Sequence, residues 1–155
     1  MSVEEGSVAP DGHYVRPDGE TATITAHRGR PLVLWFYPKD DTSGCTSEAK
    51  AFSGHAADFR DAGVALLGIS RDPPSKHLAF IDKHALTVPL GSDEDGSLTE
   101  AFGVWVEKSM YGKRYMGIER ATFLLDADRR IVRAWRKVKV PGHVDAVLAA
   151  ALALK

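Results

Sequence analysis

The sequence predicts an α/β fold: a central mixed sheet flanked by helices, with a β-hairpin at the N-terminal end. Three observations point there. Residues 32–37 and 64–69 are short, continuous apolar runs rich in β-branched and aromatic side chains, as buried strands are. A helical pattern lies between them, so the strand, helix, strand order implies a right-handed parallel crossover. Further along, residues 120–125 and 131–138 read as two strands joined around the turn residues Asp126, Ala127, Asp128 and Arg129.

Taken in order, the first thirty residues are turn-rich, with Pro10, Asp11, Gly12 and then Arg16, Pro17, Asp18, Gly19 flanking short extended pieces. Residues 21–25 form an edge strand, completing the hairpin. After strand 32–37, Ala49, Phe52, Ala56 and Phe59 recur at helical spacing, with Glu48, His55, Asp58 and Arg60 off that stripe. The helix covers residues 43–62, and Gly63 ends it. Asp72 caps a second helix whose first positions are Pro73 and Pro74 and whose inner face is Leu78, Ile81 and Ala85. Ser97, Leu98, Thr99 and Glu100 have the form of a capping box, opening a short helix that Gly103 closes. Residues 104–119 are basic and aromatic without clean periodicity, so they read as a loop carrying at most a short strand. Val144, Val147, Leu148, Ala151 and Leu152 make a closing amphipathic helix, with Asp145 in its first turn and Lys155 at its end.

A chain of 155 residues is one ordinary domain, spanning 1–155. With 20 basic and 21 acidic residues, its overall charge points neither to nucleic acid nor to an anionic membrane as the main partner. No apolar stretch reaches membrane-spanning length, and Met1, Ser2, Val3, Glu4, Glu5 lack the basic and apolar regions of a secretory signal, so a cytoplasmic protein is expected. One cysteine excludes an internal disulfide. Any thiol chemistry must therefore recruit a second molecule.

That cysteine, Cys45, follows Thr42, Ser43 and Gly44 at the predicted start of the first helix. A lone cysteine is more often an inert core residue. Here, however, unsatisfied N–H groups and the positive end of the helix dipole favour a thiolate, which makes Cys45 a candidate nucleophile. Thr42, three residues earlier, is close enough on a turn for its hydroxyl to bond the sulfur or a substrate oxygen, or it serves as a simple N-cap. The backbone N–H groups of Gly44 and Cys45 could add donors.

These residues resemble the peroxiredoxins, most closely the branch called bacterioferritin comigratory protein or peroxiredoxin Q. The active-site signature of that family, a proline, three residues, a threonine or serine, two residues and the reactive cysteine, is matched by Pro38, Thr42 and Cys45. Likeness extends to residues 68–72, 104–108, 117–126 and 138–144, covering nearly the whole chain. The resemblance implies a thioredoxin-like fold and a thiol-dependent peroxidase that reduces hydrogen peroxide and organic hydroperoxides with no cofactor. It places the active-site arginine at Arg120, ahead of Phe123, Leu124, Leu125 and Asp126. Pro38 would shield the thiolate where otherwise it would merely stop a strand, and Glu48 would orient an arginine where otherwise it would be a solvated carboxylate. The branch often carries a second, resolving cysteine five residues after the first; here that position is Lys50. This implies that a Cys45 sulfenic acid is resolved by an external thiol: thioredoxin, a glutaredoxin-like protein or a low-molecular-weight thiol. The first helix then stays folded through the cycle. Family analogy favours a monomer, with a dimer through the active-site loops as the alternative. The family usually has an aromatic residue at the position of Gly12.

Other signals are weak. The six histidines show no pair at metal-ligand spacing, His77 and His84 read as surface or boundary residues, and no metal is expected. Gly112 and Lys113 lack the earlier glycine of a phosphate loop, and Arg129, Arg130, Arg133, Arg136, Lys137 and Lys139 alternate as a solvated strand face does. The rival to a peroxidase is a single-cysteine redox sensor or binding module without sustained turnover. A thiol oxidoreductase is disfavoured because no Cys-x-x-Cys pair exists.

Overall fold

The computed structural model describes residues 3–154. Strands β1 (His13–Val15) and β2 (Thr21–Thr23) pair antiparallel as the expected N-terminal hairpin. The strand ends at Thr23 rather than at residue 25 because the Thr23 hydroxyl accepts the N–H of Ala26, capping a 3-10 turn over Ile24–His27 that buries Ile24. Strand β3 (Leu32–Phe36) is wholly buried. Helices α1 (Ser43–Gly54) and α2 (Ala56–Asp61) follow, then β4 (Ala65–Ser70), α3 (Pro74–His84) and β5 (Leu90–Ser92). A short α4 (Ser97–Ala101), the hairpin strands β6 (Trp105–Met110) and β7 (Lys113–Ile118), β8 (Ala121–Leu125), β9 (Ile131–Trp135) and α5 (His143–Leu152) complete the chain.

Seven strands form one sheet in the order β2-β1-β5-β4-β3-β8-β9. β3 runs parallel to β4 and antiparallel to β8, and β4 runs parallel to β5, so the sheet is mixed. The side chains of β3 alternate between its two faces. Val33, Trp35 and Tyr37 join Cys45, Phe52, Phe59 and Val147 in the core beneath the helices α1, α2 and α5, where Trp35 stacks on Phe52 at 4.2 Å between ring centroids. Leu32, Leu34 and Phe36 join Ile24, Phe102 and Phe123 in the core on the other face. Every side chain of the central strand is thus fixed by packing on one side or the other.

Several expectations are corrected. The helix expected over residues 43–62 is two helices, broken at His55 (φ −106°, ψ 9°) after the weak helix formers Ser53 and Gly54. The His55 ring bonds Asp58 of α2 and pairs with Asp145 of α5, fixing the kink. On α3 the buried residues are His77 and Phe80 and Ile81 packs partly buried against the core as expected, while Leu78 is 53 % exposed and Ala85 is a left-handed C-cap. Asp72 does not cap this helix, since its carboxylate accepts from Asp40 N and Ser70 Oγ. The capping box at Ser97 is also absent. Asp93 takes the N–H groups of Leu98 and Thr99 instead, whereas Gly103 ends the helix in the left-handed conformation as expected. The stretch 104–119 is a regular two-stranded hairpin turned by Tyr111 (φ 52°) and Gly112 (φ 77°), the pair of positive φ values that suits a hairpin turn. Its exposed polar residues on both faces hide the strand period. β8 begins at Ala121, one residue after Arg120, and β9 stops at Trp135, three residues early, where Lys137 (φ 48°) turns the chain. In α5 Val144, Val147 and Ala151 are buried and Leu152 is exposed; Lys155, like Met1 and Ser2, lies outside the described residues. At Gly12 an added Cβ would sit 2.7 Å from Leu98 Cδ1, so Leu98 of α4 occupies the space a side chain there would need.

Gly68, in the middle of β4, is required by close approach: a Cβ there would lie 2.5 Å from the buried Trp35 ring. Gly68→Ala should destabilise the fold by roughly 1–3 kcal/mol through overpacking. A urea midpoint unchanged from wild type would contradict this packing.

Candidate active site

The site forms where β3 gives out at the C-terminal edge of the parallel strands. The N–H of Tyr37 still bonds Ile69 O; the half-buried Pro38, which carries no N–H, follows it. The loop then bends through Asp41, which is left-handed (φ 60°). Thr42 is the N-cap of α1: its backbone is extended and its carbonyl accepts from Thr46 N at 2.8 Å. Its hydroxyl neither caps the helix nor bonds the sulfur. It donates to Lys39 O at 2.9 Å, which leaves its oxygen lone pairs at the exposed rim of the site.

Cys45 is the third residue of α1, free, and 2 % exposed. Arg120 Nη2 donates to its sulfur at 3.4 Å, and Arg120 Nη1 donates to Glu48 Oε1 at 2.8 Å. Three of the expected residues are therefore joined in one chain of contacts. Glu48 is fully buried rather than solvated, and its Oε2 has no hydrogen-bond partner. Burial pushes its carboxyl up to about 7, against the opposing pull of Arg120. Burial disfavours the charge on Arg120, yet the facing Cys45 and Glu48 outweigh it and hold that guanidinium above its ordinary range. Gly44 contributes room: a Cβ there would lie 3.1 Å from Arg120 Nη2. Among the described residues no acceptor takes the N–H of Gly44 or Cys45, so both donors remain open at the helix start.

A second set of groups, not anticipated from sequence, anchors the loop that carries Thr42. His77, expected near the surface, is completely buried. Its Nδ1 lies 2.6 Å from Asp40 Oδ2 and its Nε2 lies 3.0 Å from Gly91 O. A carbonyl only accepts, so Nε2 carries a proton; a second proton lies between Nδ1 and the carboxylate. Tyr37 Oη donates to Asp40 Oδ1 at 2.6 Å, and Asp40 N donates to Asp72 Oδ2 at 2.8 Å. Burial first, and then Asp40, push the Tyr37 phenol well above its ordinary value, so it remains a donor. Outside the core, Lys83 and His84 of α3 each bond Asp41 at 2.8 Å. The loop is thereby tied to β4 and α3. The one sequence signal for this network was that His77 shares a helix face with Phe80 at i, i+3 spacing.

Arg120 is itself held from behind. Its carbonyl accepts Val138 N at 3.0 Å, and the neighbouring Glu119 binds Arg136 Nε at 2.7 Å. His143, buried between the rings of Phe52 and Trp135, faces the Thr122 hydroxyl at 2.8 Å through Nε2. Burial and then the Arg120 charge push its imidazole down to about 4. It packs as a neutral ring and adds no competing cation. Among the described residues no group of His, Cys, Asp and Glu is arranged to hold a metal ion.

This geometry can be set beside known proteins. The model of the AhpC/TSA family matches residues 6–134. The chain is 52 % identical to peroxiredoxin Bcp of Xanthomonas campestris pv. campestris over 132 residues, 85 % of this chain and 82 % of that one. It is 44 % identical to peroxiredoxin Bcp of Bacillus subtilis over 148 residues, 96 % of this chain and 94 % of that one. Among solved structures, one of Xanthomonas campestris bacterioferritin comigratory protein, concerned with that protein's alkyl peroxide reduction activity, superposes with a TM-score of 0.86 at 48 % identity, covering 90 % of this chain and 89 % of that one. With relatives along nearly its whole length, the chain belongs to the AhpC/TSA family, in its Bcp/PrxQ branch of peroxiredoxins.

Proposed function

We propose that this peroxiredoxin reduces hydrogen peroxide and organic hydroperoxides with Cys45 as its nucleophile, and that an external thiol completes each turnover. The observation that carries this reading is the Arg120 Nη2 contact to Cys45 Sγ at 3.4 Å beside the open N-terminus of α1. The thiolate attacks one peroxide oxygen, an S–O bond forms and the O–O bond breaks. The bonding pair leaves on the distal oxygen, which takes a proton and departs as water or alcohol, and Cys45 becomes a sulfenic acid. Negative charge moves from sulfur along the O–O axis, so donors fixed around that axis lower the barrier. Arg120 and the free N–H groups of Gly44 and Cys45 are placed to supply them, the Thr42 hydroxyl to orient the peroxide, and Pro38 to shield the sulfur. Glu48 orients Arg120.

Return to the thiol needs two reducing equivalents from outside, since Cys45 is the sole cysteine. A reductant thiolate attacks the sulfenic sulfur, hydroxide leaves as water, and a second thiol breaks the mixed disulfide to release Cys45. Thioredoxin, a glutaredoxin-like protein or a low-molecular-weight thiol would each serve. The need for a thiol donor fits a reducing compartment, the cytoplasm, and we assign residues 1–155 to one domain acting as a monomer.

Stopped-flow measurement should show peroxide consumption by wild type falling by orders of magnitude in Cys45→Ser, with one sulfenic acid per chain trapped at Cys45 in the wild type. Equal rates would remove the nucleophile, and consumption that stops after one equivalent despite excess thiol would indicate a sensor. The second expectation concerns pH. Glu48 lies higher in the folded chain, at about 7, than its ordinary value of 4.5, so the folded state keeps a proton that the unfolded state releases. Its contribution to stability is complete below that ordinary value and is lost as pH rises through the folded one. Urea unfolding across this window should show wild type losing stability relative to Glu48→Gln as pH increases; parallel profiles would contradict the assignment.

A further inference from the structure

Regeneration of Cys45 by an external thiol requires a place on the surface for that thiol to arrive. Resting on that reading, we infer that the β6–β7 hairpin is the docking surface for a protein dithiol whose face around its own reactive cysteine is apolar and acidic.

The hairpin pairs with no other strand among the described residues and stands as a two-stranded sheet of its own. It carries four of the seven exposed large apolar side chains among the described residues: Tyr111, 98 % exposed, at the tip, Met110 at 56 % and Tyr115 at 44 % on one face, and Met116 at 50 % on the other. Clustered tyrosine and methionine exposed in this way mark interaction surfaces, because isolated folding offers nothing to offset their hydration. The cluster is joined to the reactive centre by the chain itself. β7 ends at Ile118, two residues before Arg120. Lys108 pairs across the hairpin with Tyr115, and its Cδ lies 3.2 Å from where a Cβ on Gly117 would be, so the absent side chain lets the lysine lie flat. Strand alternation puts Lys108, Met110, Lys113 and Tyr115 on one face. At its base β7 runs into Arg120, and Lys108 is close enough to Arg120 and Cys45 for their charges to act on it.

Charge selects the partner. The hairpin carries three cations, Lys108, Lys113 and Arg114, against one acidic residue, Glu107, which Arg114 engages at 3.5 Å on the face opposite Lys108 and Lys113. The chain as a whole carries a net charge of only −1, so this excess of positive charge is local to the hairpin. That excess opposes self-association through this face and favours an acidic visitor. Cys45 is 2 % exposed, so an attacking sulfur must arrive in one orientation, which a large surface can impose. A small thiol needs no such surface. The visiting dithiol supplies both electrons: one thiolate displaces hydroxide from the sulfenic sulfur, and its neighbour then cleaves the mixed disulfide and releases Cys45 as thiolate.

The test separates the half-reactions in the full-length protein, with Tyr111→Ser combined with Lys113→Glu, two exposed changes at the hairpin tip. Single-turnover oxidation of Cys45 by peroxide is followed first, without reductant; its failure in wild type would overturn the peroxidase reading and this inference together. Steady-state turnover is then measured with thioredoxin as the protein probe and with dithiothreitol as the small one. The expected result is a loss of about tenfold or more in kcat/KM for thioredoxin, stronger in low salt, with dithiothreitol turnover and single-turnover oxidation unchanged. Equal losses with both reductants, no loss with either, or a wild type that cycles with dithiothreitol but not with thioredoxin or glutaredoxin would overturn the inference. So would a wild-type dimer, seen by light scattering, that the variant abolishes.

Discussion

The site depends on one guanidinium shared between two groups. Arg120 reaches Cys45 Sγ with one nitrogen and Glu48 Oε1 with the other, and the planar fork of arginine is what allows both at once. Glu48 is wholly enclosed, so its attraction to Arg120 fixes the side chain where water would otherwise compete. Above about pH 7, where Glu48 is ionised, leaving this buried carboxylate without its partner would cost on the order of 3–5 kcal/mol, which holds the arginine in place. The pair that anchors Arg120 also holds its other terminal nitrogen against the sulfur.

Around this pair the fold supplies three supports. β3 delivers the loop at the end of the sheet and buries every one of its side chains, so the strand cannot shift. The enclosed Asp40 and His77 pair, with Tyr37 and Asp72, fixes the loop just before Thr42, and Lys83 and His84 hold Asp41 from outside. Val138 and Arg136 steady the backbone and the neighbour of Arg120. With one cysteine no intramolecular disulfide can form, so these anchors need not open to bring a second thiol of this chain to Cys45. A chain with a lone thiol can keep its active-site loop tied to α3.

Legibility in the sequence tracks how local each signal is. The apolar runs at β3 and β4, the helix start before Cys45 and the turn after β8 are written within a few residues, and they lie where expected. The β6–β7 hairpin was not legible because it is solvated on much of both faces, which erases the period-two pattern, and because Tyr111 and Gly112 are an uncommon turn pair. His77 was misread for a related reason: a titratable residue looks superficial until its partner is known, and Asp40 is 37 residues away. Glu48 was read as orienting an arginine or as a solvated carboxylate; its contact with Arg120, 72 residues away, decides for the first. Thr42 shows the converse: its backbone caps the helix as expected, while its hydroxyl turns to Lys39 O, a choice that no spacing rule decides.

The central claim is that Arg120 acts on the breaking O–O bond. The most direct measurement compares two reactions of Cys45, oxidation by hydrogen peroxide and alkylation by iodoacetamide, in wild type and in Arg120→Met, at a pH where the thiol is fully ionised in both. The account predicts that peroxide oxidation slows by about 10²–10³-fold, the usual loss for one transition-state donor, while alkylation changes little. An equal fall in both rates, or no fall in either, would contradict it.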